Sequence, residues 1–576
     1  TRVRALRPSV VFLKANGYGP HTIWYLAHNH WVDGRTRTEY LRKLGALTPA
    51  QVAQYRKFLA LLDQGPDAVA RATEEFQKAK PFDQRRHGVP ATVHALFDKL
   101  GFRRILLDCF AGIPNKLFRA KLVETMAANR LDDPRSNLAL AESWYGRTSL
   151  PFLLNLPAGT FDEDDLYETL DVLGARQEKI ERRLYEAWTR TRSKGLPVVM
   201  KDLTSTYTEG EGADRSLWAH GYSRDRRPDR RQVNWSLVVT PEGLPITLEV
   251  YKGNTKDETT VAGTIDRLKR VFGVKEAVFV GDRGMLTTKN LERLHAAKFH
   301  YVVAETLSHE KEILEEARSK GRKARAKKGH LSESFCEVVG VDGRRHIAVF
   351  SRAKEKEELE TLADKLRKGK ELELWAQEGV ERGDRWWEGT HHELVRSLTK
   401  KLMAVGAEGL FQVVWDPSRK GSIFLEVNEE RRRWEEERAG WWMLTTDTEL
   451  SGDAVIDLYQ GLAVVEHAFR ELKSPLKTRP VYHWKAERVK AHLFLCVLSY
   501  WLARWIELEG RSKGWKVTVE EALDELRAIH LDELGVPGVS ARWWAVKELV
   551  GAELSIVNAL GIAREVSDLP KGLVLV

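Results

Sequence analysis

Two aspartates follow apolar runs directly, Asp202 in "LPVVMKDLTSTY" and Asp282 in "AVFVGDRG". A third carboxylate, Glu466, lies in the apolar stripe of "YQGLAVVEHAFRELK" (459–473). Carboxylates at the ends of neighbouring strands converge at one sheet edge, where ligands bind. A further carboxylate from a nearby helix completes an oxygen-rich site suited to Mg²⁺, with Mn²⁺ as a substitute. Two such ions, ~3.5–4 Å apart, deprotonate an attacking hydroxyl and stabilise the leaving oxygen of an in-line phosphoryl displacement. Burying an unpaired Glu is expensive, and ion coordination would remove that expense.

The helix spacing extends this reading. Tyr459, Leu462, Glu466, Phe469 and Lys473 are separated by threes and fours and share one helical face. Seven residues put Tyr459 and Lys473 each about 10 Å from Glu466 along the axis. A phenol that donates and an ammonium point charge both suit phosphates beside a metal site. Pro475 then stops the helix. Each residue also has an ordinary reading. A strand-end Asp often caps a turn, and a helical Glu pairs with a neighbour such as Arg470 or reaches water. Y-x6-E-x6-K spacing arises by chance, so the order of all three acids on compatible elements carries the inference.

The elements that would position them change in texture along the chain. Residues 1–48 alternate in the manner of a β-hairpin region, and 49–195 read as helical, with "IPNKLFRAKLVETMAANRL" resembling a helix-turn-helix DNA reader or a plain helical subdomain. From 196 to 306 the order is βββαβαβ, that of an RNase H-like core, and continuous runs such as "AVFV" fit strands covered on both faces. A β-rich insertion is expected over 307–440. The core resumes over 441–500 with the Glu466 helix, and a helical region is expected over 501–576. The fold class is therefore α/β, an interrupted RNase H-like core between mostly helical terminal regions.

Composition sets the outer bounds. Lys and Arg outnumber Asp and Glu, 92 to 83, an excess of +9 compatible with a polyanionic partner without demanding one. Cys109, Cys336 and Cys496 form no C-x-x-C pair, so neither a zinc site nor a disulfide framework is expected, and a reducing cytoplasm fits. "HLFLCVLSYWLARWI" is short for a membrane span and contains Arg504, so a buried helix is expected and no membrane partner. The chain opens at Thr1 rather than Met, and its native start is expected further upstream.

"KDLTSTYTEG", "HGYSRDRRPD", "GNTKDETT", "VGDRGM" and "YQGLAVVEHAFRELKSPLKTRPVYHW" together resemble bacterial insertion-sequence transposases of the DDE type. They are similar to the branch with a Tyr–Arg–Glu–Lys signature and a β-rich insertion. The resemblance implies Asp202, Asp282 and Glu466 as a catalytic triad holding two Mg²⁺ ions. It implies that Tyr459 and Lys473 hold DNA phosphates. Leu462 stands where the signature has Arg, which leaves Arg470 or Arg283 to supply that contact. It also implies an insertion-domain indole for a flipped base, with Trp386, Trp387, Trp441 and Trp442 as candidates beside a core-packing role.

Basic segments 224–231, with Arg224, Arg226 and Arg227, and 320–328 read either as contacts to DNA backbone or as solvated loops. The resemblance implies a homodimer in a synaptic complex with double-stranded DNA, transposon ends and target, acting in the bacterial nucleoid. Such an enzyme cuts at element ends and joins the 3′-OH to target. Two other readings are a domesticated, non-catalytic DNA-binding protein and an RNase H-like structure-specific nuclease.

Overall fold

A computed structural model describes residues 11–17, 22–32, 35–45, 47, 52, 55, 56, 59, 80–189, 197–209, 216–285, 287–305, 307, 311–325, 333–340, 343–382, 391–416, 422–535 and 542–570. It is a mixed α/β protein with one large sheet and many helices. Near the N-terminus, β1 (Val11–Asn16), β2 (Ile23–Val32) and β3 (Arg35–Gly45) form an antiparallel meander. β4 (Lys80–Arg86) follows.

The large sheet begins with β5 (Val198–Tyr207), β6 (Gln232–Val239), β7 (Pro245–Lys252), β8 (Ala277–Gly281) and β9 (Phe299–Glu305). β5, β6 and β7 run as an antiparallel meander, whereas β8 pairs in parallel with both β5 and β9. Helices Val261–Phe272 and Thr288–Ala296 make the crossovers that parallel pairing requires. All five residues of β8 are buried, which explains its uninterrupted apolar run.

Segment 307–440 is not a separate β-rich body. Its β10 (Lys323–Ala324), β11 (Glu333–Val339) and β12 (Arg345–Ser351) join the same sheet. β13 (Phe411–Asp416) and β14 (Ser422–Val427) form a separate hairpin beside the 31-residue helix Arg352–Arg382. β15 (Trp441–Thr446) is inserted between β12 and β9, giving the order β10-β11-β12-β15-β9-β8-β5-β6-β7.

The terminal regions close on each other. β16 (His530–Gly535) and β17 (Arg542–Val546) interrupt the helices expected over 501–576, and β16 pairs with β4. Helices from 88–184 share one core with the sheet and with helix Ala486–Ser512, which is buried along most of its length. Arg504 is satisfied there, because Glu507 pairs with it and Nε donates to the Glu242 carbonyl at 2.6 Å. No helix among the described residues is long and apolar enough to cross a membrane. Cys109, Cys336 and Cys496 are all buried free thiols.

Candidate active site on the large sheet

Register places the two aspartates side by side. Met200 faces Val280 and Lys201 faces Gly281 across the parallel β5–β8 pair, so the next residues are Asp202, in mid-strand rather than at the strand end expected, and Asp282, just past the end of β8. Asp202 Oδ1 accepts from Leu203 N–H at 2.7 Å, and Asp282 Oδ1 accepts from Arg283 N–H at 2.7 Å. Both residues are half-buried. Desolvation pushes the Asp202 carboxyl up to about 7; Asp282 and Asp257 add to the rise, while the Leu203 N–H and Arg224 oppose it.

The Glu466 segment is not one continuous helix. Helix Gly452–Gln460 ends at Gly461, and a second helix runs Ala463–Lys473. Between them the bonds tighten to an i→i−3 pattern, Leu462 N–H to Tyr459 O and Val465 N–H to Leu462 O, both 2.9 Å. A Cβ on Gly461 would lie 2.9 Å from Met200 Cε, so this break lies close against β5. The face expected to hold Glu466 is buried through Leu462, Val465, Phe469 and Leu472, whereas Glu466 itself is exposed. A buried carboxylate therefore does not explain its position; it faces an open cleft.

That cleft, of about 870 Å³, is lined by Asp282, Arg283, Tyr459, Leu462 and Glu466 on one side and by Trp441 and Trp442 on another. The Tyr459 hydroxyl meets Asp282. Burial first, then the Asp282 charge, pushes this phenol up to about 12, so it remains a donor. Trp442 lies against Tyr459 with ring centroids 5.7 Å apart and a 35° tilt. Oxygens of Asp202, Asp282 and Glu466 do not all lie within 4.8 Å of one another, so they do not form a closed one-ion cluster.

Lys473 is committed to the fold. Its Nζ donates to Thr204 Oγ1 at 2.7 Å and to Asp225 Oδ1 at 2.9 Å, and Arg479 pairs with the same Asp225 oxygen. Thr204 lies two residues beyond Asp202 on the same face of β5, so Lys473 pins the Glu466 helix beside the aspartates. Burial lowers the lysine's pKa against the opposing pull of Asp225. Phe469 meets Trp235 of β6 edge-on at 5.0 Å, fixing the same helix to the next strand.

Sequence reasoning quoted Asp225 and Asp257 within motifs but gave them no role, because their partners lie on other elements. Asp257 holds Arg224 at 2.9 Å, Asp229 holds Arg227 at 2.9 Å, and Arg230 lies 3.4 Å from both Glu209 and Asp229, so three arginines of the 224–231 run carry internal partners. Arg226 adopts a left-handed backbone, φ 56°. In the 320–328 run, Arg325 is fully buried rather than solvated. It bonds Glu333 and Gln460 at 3.0 Å each and also pairs with Asp453 and Asp457. Lys354, Arg431 and Arg438 also line the cleft, and no spacing in the sequence announced them. Arg470 is exposed on the Glu466 helix, Trp441 is buried in β15, and Trp386 and Trp387 lie outside the described residues.

Residues 193–502, more than half of the chain, match the family described as "Transposase DDE domain". The chain belongs to this family. Transposases of the DDE type act on DNA and generally use divalent metal ions. No relative matches among the curated proteins. Among solved structures, this transposase is similar to a chain of a piggyBac transposase synaptic complex with hairpin DNA, seen by cryo-EM. Identity is 9% and the TM-score is 0.34, over 72% of this chain and 70% of that one.

Proposed function

We propose that this transposase is a bacterial insertion-sequence enzyme of the Tyr–Arg–Glu–Lys branch. Asp202, Asp282 and Glu466 are its catalytic carboxylates, carried on an RNase H-like core that the segment 307–440 interrupts. It binds the terminal inverted repeats, cleaves at the element ends and joins the 3′-OH to target DNA, working as a homodimer on paired ends. The observation that carries this reading is the adjacency of Asp202 and Asp282 on parallel strands, beside a cleft that Glu466 and Tyr459 also line.

The donor set fits hard divalent cations. All three groups are carboxylates, and Asp202 lies where burial resists its ionisation unless a positive charge is near. Asp202, Asp282 and Glu466 would hold two Mg²⁺ ions, with Mn²⁺ as a substitute. Such ions, when bound, supply Lewis-acid stabilisation of the phosphoryl oxygens and ease loss of a proton from the attacking hydroxyl. Tyr459 keeps its proton and orients Asp282. Lys473 sets the Glu466 helix against β5 through Thr204 and Asp225. The exposed Arg283 and the cleft cations Lys354, Arg431 and Arg438 meet DNA phosphates, which offsets the missing signature Arg at Leu462. Trp442 presents an aromatic face to an unstacked base. Arg470, Arg224, Arg226 and Arg227 contribute backbone contacts, and the helical segment 88–184 reads the ends.

Asp202→Asn tests the assignment with end-bearing DNA and Mg²⁺. We expect cleavage to disappear while end binding in gel shifts stays within about twofold, because one neutralised carboxylate leaves the phosphate contacts in place. Cleavage at the unmodified rate would reject the assignment. End hydrolysis without strand joining would instead favour a structure-specific nuclease.

A further inference from the structure

A second cluster of chemical groups lies far along the chain, in the N-terminal meander. His28 and His30 are two apart on β2 and therefore project from the same face. Glu39 of β3 pairs directly with His28 across the strands. One carboxylate oxygen, Glu39 Oε2, lies 3.6 Å from His28 Nε2 and 3.9 Å from His30 Nδ1. The two imidazole centroids are 5.1 Å apart. Among the described residues, this is the only group of three such side chains whose ligand atoms all lie within 4.8 Å of one another.

These distances do not describe a hydrogen-bonded trio, since both exceed the roughly 2.7–3.2 Å of N–H···O bonds. They fit a shared cation better. With bonds of 2.0–2.1 Å, ligands of a tetrahedral zinc ion stand about 3.4 Å apart, so small rotations of Glu39 and His30 would close the set. His30 Nδ1, the nitrogen facing Glu39, is shielded from water and has no hydrogen-bond partner among the described residues. An orphaned lone pair or N–H there is costly, and a coordinate bond would satisfy it. Asn29, between the histidines, projects to the opposite face, where its Oδ1 accepts from Thr38 at 2.8 Å. Arg37 lies across from His30 but is exposed, where water screens its charge.

We propose that His28, His30 and Glu39 bind one borderline divalent transition-metal ion of the zinc type, stapling β2 to β3. The two imidazoles select zinc, cobalt or nickel over magnesium, which prefers an all-oxygen set. The meander has reason to use such a staple. Only Leu26 and Ala27 of its described side chains are buried, and small sheets with little core gain most from a structural metal. Cysteine counting could not reveal this site, because it contains none.

The test is calorimetric titration of ZnCl₂ into the metal-free full chain, with circular dichroism to verify folding. We expect one tight zinc per chain that excess Mg²⁺ does not displace. The double variant His28→Ala/His30→Ala should lose it. Glu39→Gln, which keeps the shape, should weaken it by at least about tenfold. Asp202→Asn/Asp282→Asn should keep it, which separates this site from the carboxylates of the large sheet. Zinc should also slow proteolysis within residues 11–45 of the unmodified chain alone. Absence of zinc binding, or binding unchanged in folded double-histidine and Glu39→Gln variants, would overturn the proposal.

Discussion

Asp202 and Asp282, eighty positions apart in sequence, are lateral neighbours one residue beyond the paired Lys201 and Gly281. Parallel pairing creates this relationship, because β8 ends at Gly281 beside Lys201 in the middle of β5; Asp282 therefore follows a strand end, whereas Asp202 lies within a strand that runs on to Tyr207. β8 has no exposed residue to shift its register, and a one-residue slip would turn its whole apolar run about. The helix carrying Glu466 is then fixed to this edge by contacts that can be removed singly.

Lys473 makes the charged contact among these. Lys473→Met keeps the stem but removes the charge that Asp225 and Thr204 share. Asp225 would retain only Arg479, and we expect a loss of about 1–3 kcal/mol in urea unfolding. The variants Lys473→Met and Asp225→Asn should be non-additive in a double-mutant cycle. Additive losses would separate the two residues energetically.

Arg325 ties the segment 307–440 to helix Gly452–Gln460, which carries Tyr459. Its side chain is fully buried among three carboxylates, so Arg325→Met strands those charges. A cost of roughly 3–5 kcal/mol is expected. Amide exchange should quicken in residues 452–460 before it quickens in helix 486–512. Equal acceleration in both would indicate a global effect instead.

Gly243 occupies the β6–β7 turn at φ 82°, with its missing Cβ 2.8 Å from Val464 Cγ2 and 2.9 Å from Arg504 Nε. Gly243→Ala therefore combines a left-handed backbone with displacement of the Glu466 helix. We expect about 1–3 kcal/mol of destabilisation and reduced cleavage in the surviving folded fraction. Gly273→Ala, also left-handed at φ 65° but with open space around it, should retain cleavage per folded molecule.

Acid should weaken the fold through buried histidines. His87 Nδ1 lies 2.9 Å from Ser149 Oγ and Nε2 lies 2.9 Å from the Val566 carbonyl, partners that suit a neutral ring. Burial pushes His87 down to about 4, and burial with the nearby Arg130 and Arg488 does the same to His483. Folded values below the unfolded 6.5 mean that the unfolded chain binds the extra proton. Stability is full above pH 6.5 and falls as pH drops from 6.5 towards 4, by roughly 2 kcal/mol for each histidine at pH 5. Urea midpoints at pH 7.5 and 5 should show the drop, and His87→Gln should reduce it.

Much of this was legible where local chemistry decides the outcome. Apolar runs leading to Asp202 and Asp282 revealed two sheet strands, and the apolar stretch 492–506, with Arg504 against a membrane span, marked a buried helix. Nonlocal pairing was hidden. Nothing in "KARAKK" distinguishes a solvated arginine from Arg325, whose partners Asp453 and Asp457 lie more than a hundred residues away on a helix, with only Glu333 nearby in sequence. The strands after residue 530 escaped notice because their pairing partner is β4, near residue 80. The Glu466 helix break was missed because an isolated Gly such as Gly461 is tolerated inside a helical pattern, and its close approach to Met200 exists only once β5 is in place. The stretch "HNH" gave only strand alternation until Glu39 was paired beside it.

The most direct measurement is the anomalous scattering of Mn²⁺ in crystals of the full chain bound to DNA bearing its element ends. Two peaks ~3.5–4 Å apart, contacted by oxygens of Asp202, Asp282 and Glu466, are expected. Manganese absent from this edge, or bound there without Glu466, would contradict the account.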